Sequence, residues 1–259
     1  MDEALLSRIE DASLNASAPP QQRWLDGWIL RYSPGKARRA RCINAVAAGH
    51  LPLERKLAYA TALFAEAELP MLARITRFTQ PPGLDGQLAA LGWSAVDTTR
   101  VQVLTDLHRP APAPAPAPLP AATEWALLTP ADYAEAVGEL RGSPVAQRQA
   151  HLQRLLTSPV PYRGHVIRRV SDGCVLACGQ SAREGDLVGL YDVYTREDQR
   201  GKGLAYTLCE RLLAQAASEG AAVAYLQVEG SNTTALRIYQ RLGFVDGYTY
   251  HYREAPLAS

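Results

Sequence analysis

The amino-acid sequence predicts an α/β protein, a mixed α+β sheet flanked by helices, arranged as two tandem lobes. Three observations lead there. From residue 129 onward the hydrophobic pattern switches between helical and strand periods in the order α-α-β-β-β-α-β-α-β. Residues 110–120 read PAPAPAPAPLP, a run that supports neither a helix nor a strand ladder. The stretch before that run repeats, in shortened form, the later part of the same order.

In the C-terminal half, Thr129-Pro130 combines a capping hydroxyl with a proline in the first turn and predicts a helix to about Arg141. Ser143-Pro144 opens a second helix, ending near Thr157. Strands are expected over Gly164–Val170, Cys174–Ser181 and Leu187–Tyr194, with turns at Ser171-Asp172-Gly173 and Glu184-Gly185-Asp186. An Asp-Gly pair between apolar runs is a strong hairpin signal. A glycine-rich bend at 200–203 starts a long helix that ends at Gly220, with Leu204, Leu208 and Leu212 on one stripe. Ala222–Val228 reads as a short strand, Thr233–Leu242 as a helix closed by Gly243, and Phe244–Arg253 as the last strand or hairpin.

The N-terminal half reads as strands over Asp26–Tyr32 and Arg39–Val46 around Ser33-Pro34-Gly35, then a helix over Leu53–Glu66. A strand over Met71–Arg77, a helix over Gly83–Leu91 and a strand over Thr98–Leu104 follow. Leu91-Gly92-Trp93 stands where Leu242-Gly243-Phe244 stands in the second half, which suggests a degenerate internal repeat. The expected organisation is an N-terminal domain over 1–109, a connector over 110–120 and a C-terminal domain over 121–259. A polyproline II rod rises about 3.1 Å per residue, so the connector spans on the order of 30 Å if fully extended.

Composition narrows the function. The chain has 259 residues, 47% hydrophobic and 20% charged, with a formal net charge of +1. That balance argues against a nucleic-acid partner, which normally meets a basic surplus. No apolar run approaches the roughly 20 residues that span a bilayer. The start, MDEALLSRIEDASLN, is acidic where a secretory signal is basic and then apolar, so a cytoplasmic location and no membrane partner are expected. The 4 cysteines, Cys42, Cys174, Cys178 and Cys209, show neither paired short spacings nor clustered histidines. Free, mostly buried thiols are expected, and no metal site.

The sharpest chemical signal lies between Leu190 and Ala205, in LYDVYTREDQRGKGLA. A strand ends, a short polar loop turns, and Gly201 and Gly203 flank a helix start. Helix starts carry unpaired N–H groups and a positive dipole end, and glycine lets an anion approach the backbone closely. Arg200 and Lys202 add charge at the same spot. A nucleotide-like diphosphate suits it. Lys202 is followed by Gly203 rather than Ser or Thr, and Tyr206 occupies the place of a third glycine, so the P-loop and dinucleotide fingerprints both fail.

Arg200-x-x-Gly203-x-Ala205 instead resembles the R/Q-x-x-G-x-G/A signature of the GNAT superfamily of acetyl-CoA-dependent N-acetyltransferases. About 30 residues on, Asn232-x-x-Ala235-x-x-x-Tyr239-x-x-x-Gly243-Phe244 is similar to that family's second motif, and the element order of 123–259 matches as well. The resemblance implies the GNAT acyl-CoA N-acyltransferase fold, in two tandem GNAT-like lobes with the first degenerate. It implies acetyl-CoA as co-substrate, inserted where two strands part. The backbone of Val193, Tyr194 and Thr195 would pair with the pantetheine arm, and an N–H near Val193 would polarise the thioester carbonyl. The loop Arg200, Gly201, Lys202, Gly203, Leu204 and Ala205 would cradle the pyrophosphate, with Asn232 and Tyr239 completing the coenzyme site.

By the same resemblance the acetyl group passes directly to a primary amine of a small molecule, peptide or protein. Tyr239 would be the general acid to the departing thiolate, and Asp192 and Glu229 the candidate bases. The alternative function is a non-catalytic acyl-CoA sensor or partner-binding module, and the protein is expected to be a monomer or homodimer. Ala47–Pro52, the N-terminal counterpart of the loop, has one glycine and no basic pair, so no acyl-CoA site is expected there; that lobe would shape the acceptor pocket. His50 reads as a loop histidine, and Arg38, Arg39 and Arg41 as a solvated strand edge. Tyr248, Tyr250 and Tyr252 share a strand face, for sheet packing or for lining the acceptor site.

Overall fold

The computed structural model describes residues 1–34, 37–107 and 118–256. Most of the expected connector, 110–117, lies outside the described residues. The elements run α1 (Glu3–Ala16), β1 (Gln22–Leu25), β2 (Trp28–Arg31), β3 (Ile43–Ala45), α2 (Leu53–Glu66), β4 (Leu72–Ile75), α3 (Leu84–Ala90) and β5 (Ser94–Leu104). After the connector come β6 (Thr123–Leu128), α4 (Pro130–Leu140), α5 (Val145–Thr157), β7 (Tyr162–Arg169), β8 (Val175–Glu184) and β9 (Leu187–Thr195). The chain continues through α6 (Leu204–Ser218), β10 (Val223–Glu229), α7 (Thr233–Arg241) and β11 (Val245–Glu254).

Packing divides the chain into two units: 1–16, 101–228 and 232–247 form the first, and 17–100, 229–231 and 248–259 the second. In the first unit the strands lie in the order β10-β9-β8-β7-β6. Strands β6 to β9 are antiparallel neighbours, while β9 and β10 are parallel. Adjacent residues of one strand face opposite sides of a sheet. Accordingly Ile167 and Ala177 pack with Leu204, Leu208 and Leu212 of α6, while Val166 and Cys178 pack with Tyr133 and Val137 of α4 and Leu155 of α5. One apolar face serves each helical layer. The cap expected at Thr129 is present, its Oγ1 accepting from Asp132 N at 3.2 Å.

Helix α1 belongs to this unit and not to the residues that follow it. Its Leu6 and Ile9 are buried. The Asn15 amide donates to Glu184 Oε1 at 3.0 Å, Arg8 pairs with Asp186, and the Tyr162 hydroxyl donates to Ala16 O at 2.6 Å. Division by packing therefore differs from division by chain position. Helix α1 and Val101–Leu104 group with the C-terminal residues, and Tyr248 onward groups with the N-terminal ones.

In the second unit the order is β1-β2-β3-β4-β11. Strands β3 and β4 are parallel, and β4 pairs antiparallel with β11 through Leu72↔Glu254 to Ile75↔His251. Trp28, Leu30, Phe64, Leu84, Leu88 and Trp93 form its core. Tyr248, Tyr250 and Tyr252 are all buried there, with the Arg74 guanidinium 4.0 Å from the Tyr250 ring centre, so packing accounts for them. Arg38–Ala40 forms a single 3-10 turn and β3 starts only at Ile43, so the three arginines do not make the strand edge expected of them. His50 sits in a loop, its N–H donating to Asp26 Oδ1 at 2.9 Å.

Candidate active site

The site is built at the C-terminal end of β9. Its parallel pairing with β10 runs from Leu187↔Val223 to Leu190↔Leu226 and stops, although β9 continues to Thr195 and β10 to Glu229. On its other edge β9 stays paired with β8, through Cys178↔Tyr194 and Ala177↔Thr195. Between Gln180↔Tyr191 and Cys178↔Tyr194 the register shifts, so that Asp192 and Val193 stand opposite Gly179 alone. Two residues facing one is a β-bulge, which bends its strand and sharpens the local twist. Asp192 takes a left-handed conformation there, φ +52°. Beyond Leu190 the two parallel strands part, and the ladder no longer uses the β10-facing edge of Val193, Tyr194 and Thr195.

The loop after β9 makes one 3-10 turn over Glu197–Gln199 and then exposes Arg200, Gly201, Lys202 and Gly203. Gly201 and Gly203 have φ of +78° and +79°, the left-handed region where a side chain is costly. A Cβ built at either would meet nothing within 4 Å. Helix α6 starts at Leu204, which is buried in the core below, with Ala205 half-buried beside it. Thr207 N–H donates to Gly203 O at 3.0 Å. The amides of 204–206 belong to the first turn of α6 and so have no acceptor within the helix. The positive end of the helix dipole lies behind them. Arg200 Nη2 lies 3.4 Å from Tyr194 Oη, and Lys202 Nζ donates to Gln199 Oε1 at 3.0 Å.

Tyr239 and Asn232 both lie on or next to α7. Asn232 caps that helix, its Oδ1 accepting from Ala235 N at 3.1 Å, which engages the oxygen of the amide. Tyr239 is buried against Phe244, ring centres 6.0 Å apart. Burial, and then the nearby Cys209, push its phenol above the usual tyrosine range, so it stays protonated at neutral pH.

Asp192 has three cationic or potentially cationic neighbours, none of which the sequence singled out. Arg141 Nη2 is 3.5 Å from Oδ1, while His151 Nε2 and Arg154 Nη2 are 3.4 and 3.5 Å from Oδ2. Burial alone would raise its pKa; His151, Arg141 and Arg154 outweigh that and hold the carboxyl well below the usual carboxylate range. A carboxylate so held is a poor proton acceptor. Glu229, the other candidate base, is exposed at the end of β10 and groups by packing with the second unit. The one local signal for the missed residues was the three-residue spacing of His151 and Arg154, which puts both on one helix face.

Residues 133–244 match the model of the acetyltransferase (GNAT) family. An uncharacterised N-acetyltransferase of Bacillus subtilis is 23% identical over 235 residues, covering 90% of this chain and 91% of its own length. Relatives from Pseudomonas aeruginosa and Pseudomonas paraeruginosa, named as L-methionine sulfoximine/L-methionine sulfone acetyltransferases, are 39% identical over 54 residues. The match covers 21% of this chain and 31% of those relatives' length. Among solved structures, a GCN5-related N-acetyltransferase from Kribbella flavida superposes with a TM-score of 0.67 at 19% identity, covering 97% of this chain and 96% of that one. A tandem GNAT protein from the clavulanic acid biosynthesis pathway gives 0.62 at 16% identity, covering 84% and 76%.

Proposed function

We propose, from the match of residues 133–244 to the GNAT acetyltransferase family, that this chain transfers the acetyl group of acetyl-CoA to a primary amine. One observation carries the reading. The strands β9 and β10 part next to an exposed two-glycine loop that leads into α6. The residues present suit the coenzyme. Amides of Gly201 to Ala205, with the Arg200 and Lys202 side chains, supply the donors and charge a pyrophosphate needs. The edge of Val193 to Thr195 released from the ladder offers backbone groups to an amide-bearing pantetheine arm. In this reading Asn232, at the start of α7, completes the coenzyme site.

When bound, acetyl-CoA supplies an acetyl thioester. In this reading the Val193 N–H donates to the thioester carbonyl oxygen and favours the charge that develops on it. In this reading Tyr239, protonated throughout the physiological range and made a weaker acid than a free tyrosine by burial, gives its proton to the departing sulfur as the amine displaces it directly; the proton the amine loses passes to solvent, from which Tyr239 is reprotonated. Asp192 keeps Arg141, His151 and Arg154 in place rather than removing the amine proton.

The test is to incubate the protein with acetyl-CoA and a panel of primary amines while following thiol release. Amine-dependent release that saturates in both substrates supports the reading. Acetyl-CoA binding with no amine-dependent release from any acceptor would leave a coenzyme-binding module and remove the enzyme.

A further inference from the structure

Under the α4–α5 hairpin the first unit keeps more polar capacity than its own groups use. Two arginines and a histidine surround the single carboxylate of Asp192 at 3.4–3.5 Å, well beyond the roughly 2.7–2.9 Å of a closed charge-assisted bond. Arg141 Nε is buried without a hydrogen-bond partner, and His151 Nε2, also buried, reaches no closer than the 3.4 Å contact to Asp192. Gln180, with 0% of its surface exposed, has neither its amide nitrogen nor its oxygen bonded. Native interiors rarely leave such groups idle, and an unpaired one calls for an explanation.

These groups share one face of the sheet. Gln180 stands opposite Tyr191, whose ring contacts Tyr162 at 5.3 Å. The Arg154 guanidinium lies 5.4 Å from the centre of that Tyr162 ring. Arg141 lies 5.0 Å from the ring of Tyr194, on the stretch of β9 that has left β10. With the imidazole neutral the two guanidinium groups exceed the one carboxylate by a single charge, so the cluster fits a monoanion. A phosphate dianion would face repulsion from Asp192 at close range.

We propose that this cluster is the acceptor's carboxylate anchor, so that the acceptors are free α-amino acids, with Arg141 and Arg154 binding the carboxylate and Gln180 available to a polar group of the acceptor. The inference rests on the transfer reading above. In an α-amino acid one carbon joins amine to carboxylate. An acid held beside Asp192 therefore brings its amine toward Val193, the next residue along β9. With its amine uncharged and able to attack, such an acceptor is a monoanion, which matches the surplus charge of the site.

The experiment measures acetyl-CoA-dependent thiol release for the common L-amino acids, each beside its carboxamide and its decarboxylated amine. Removing the carboxylate should lower kcat/KM by about 10–100-fold, the worth of a charge-assisted contact. Arg154→Gln should raise KM for the acid by a similar factor and level the acid with its amide, while the Kd for acetyl-CoA stays unchanged. Amides or decarboxylated amines that react as well as the acids would overturn the anchor and leave the transfer reading standing. If no amine releases thiol, the transfer reading fails, and calorimetry then decides the anchor. Amino acids that bind the wild type but not Arg154→Gln keep it; amino acids that bind neither remove it.

Discussion

Replacing Gly203 by valine separates the two jobs assigned to the phosphate loop. Gly203 has φ +79°, and a Cβ there meets no atom within 4 Å. The substitution therefore costs backbone energy but meets no steric wall. A left-handed conformation costs an L-residue about 1–2 kcal/mol, or about 2–8 °C in melting temperature for a chain of this size. Gly185, in the β8–β9 turn at the far end of β9, has φ +60° and equally open surroundings, so Gly185→Val carries the same backbone cost and serves as the control. The binding terms differ. At position 203 the new isopropyl group occupies the space in front of the helix-start amides. Losing one charge-assisted hydrogen bond to a phosphate costs about 1.5–3 kcal/mol, which is roughly 10–150-fold in Kd. Calorimetric titration with acetyl-CoA, beside thermal melts of both variants, reads out the two effects. Equal melts with an unchanged acetyl-CoA Kd in Gly203→Val would refute the placement of the pyrophosphate.

Three further outcomes are expected. Tyr239→Phe keeps the ring and removes the proton, so kcat falls by about 10²–10⁴ while the acetyl-CoA Kd holds; an undiminished kcat takes Tyr239 out of the mechanism. Asp192→Asn strands two arginines in a half-buried cluster and should cost about 1–3 kcal/mol in urea unfolding, less than a fully buried pair because about a quarter of the carboxylate's side chain is exposed. The folded pKa of Asp192 lies below the unfolded value of about 3.9, so its contribution is complete above that value and is lost as pH falls toward the folded one. The gap between wild type and Asp192→Asn should therefore shrink below about pH 4; a gap that grows as the pH falls from 4 contradicts the pairing. Thr129→Ala removes the α4 cap and should cost about 1 kcal/mol, read as a lower midpoint in the same unfolding experiment.

Local sequence signals carried the C-terminal elements well because each had a physical marker at its end. Thr129-Pro130 and Ser143-Pro144 set the starts of α4 and α5, and the Gly220 and Gly243 stops bracket α6 and α7 to within about two residues. Strand β6, of 6 residues, lacked such a marker and was not foreseen; β1, of 4 residues, precedes the two-residue Asp26-Gly27 turn that joins it to β2, a hairpin signal that the expected strand Asp26–Tyr32 overran. The place of α1 was illegible for another reason. Its amphipathic pattern is plain, but what it packs against is set by Asn15 meeting Glu184 and Tyr162 meeting Ala16, contacts more than 140 residues apart in the chain. Periodicity says which face of a helix is buried; it does not say against what.

The same limit explains the reading of Asp192. A regular strand alternates faces, so Asp192 and Tyr194 should point together, away from Tyr191. The bulge breaks that alternation. Gln180 and Cys178, two apart on β8, share a face, and their partners Tyr191 and Tyr194 must share it too, although three residues separate them on β9. The extra residue is absorbed where Asp192 turns left-handed, and its carboxylate meets Arg141, His151 and Arg154 of the α4–α5 hairpin. One irregularity thus does two things that alternation could not. It lies just past the last rung shared with β10, where the strand edge is released for a ligand. It also leaves the Asp192 carboxylate among the helices that cover the face shared by Tyr191 and Tyr194. A candidate base on a regular strand becomes, on a bulged one, the anchor of a cationic cluster beside the edge of β9 that has left β10.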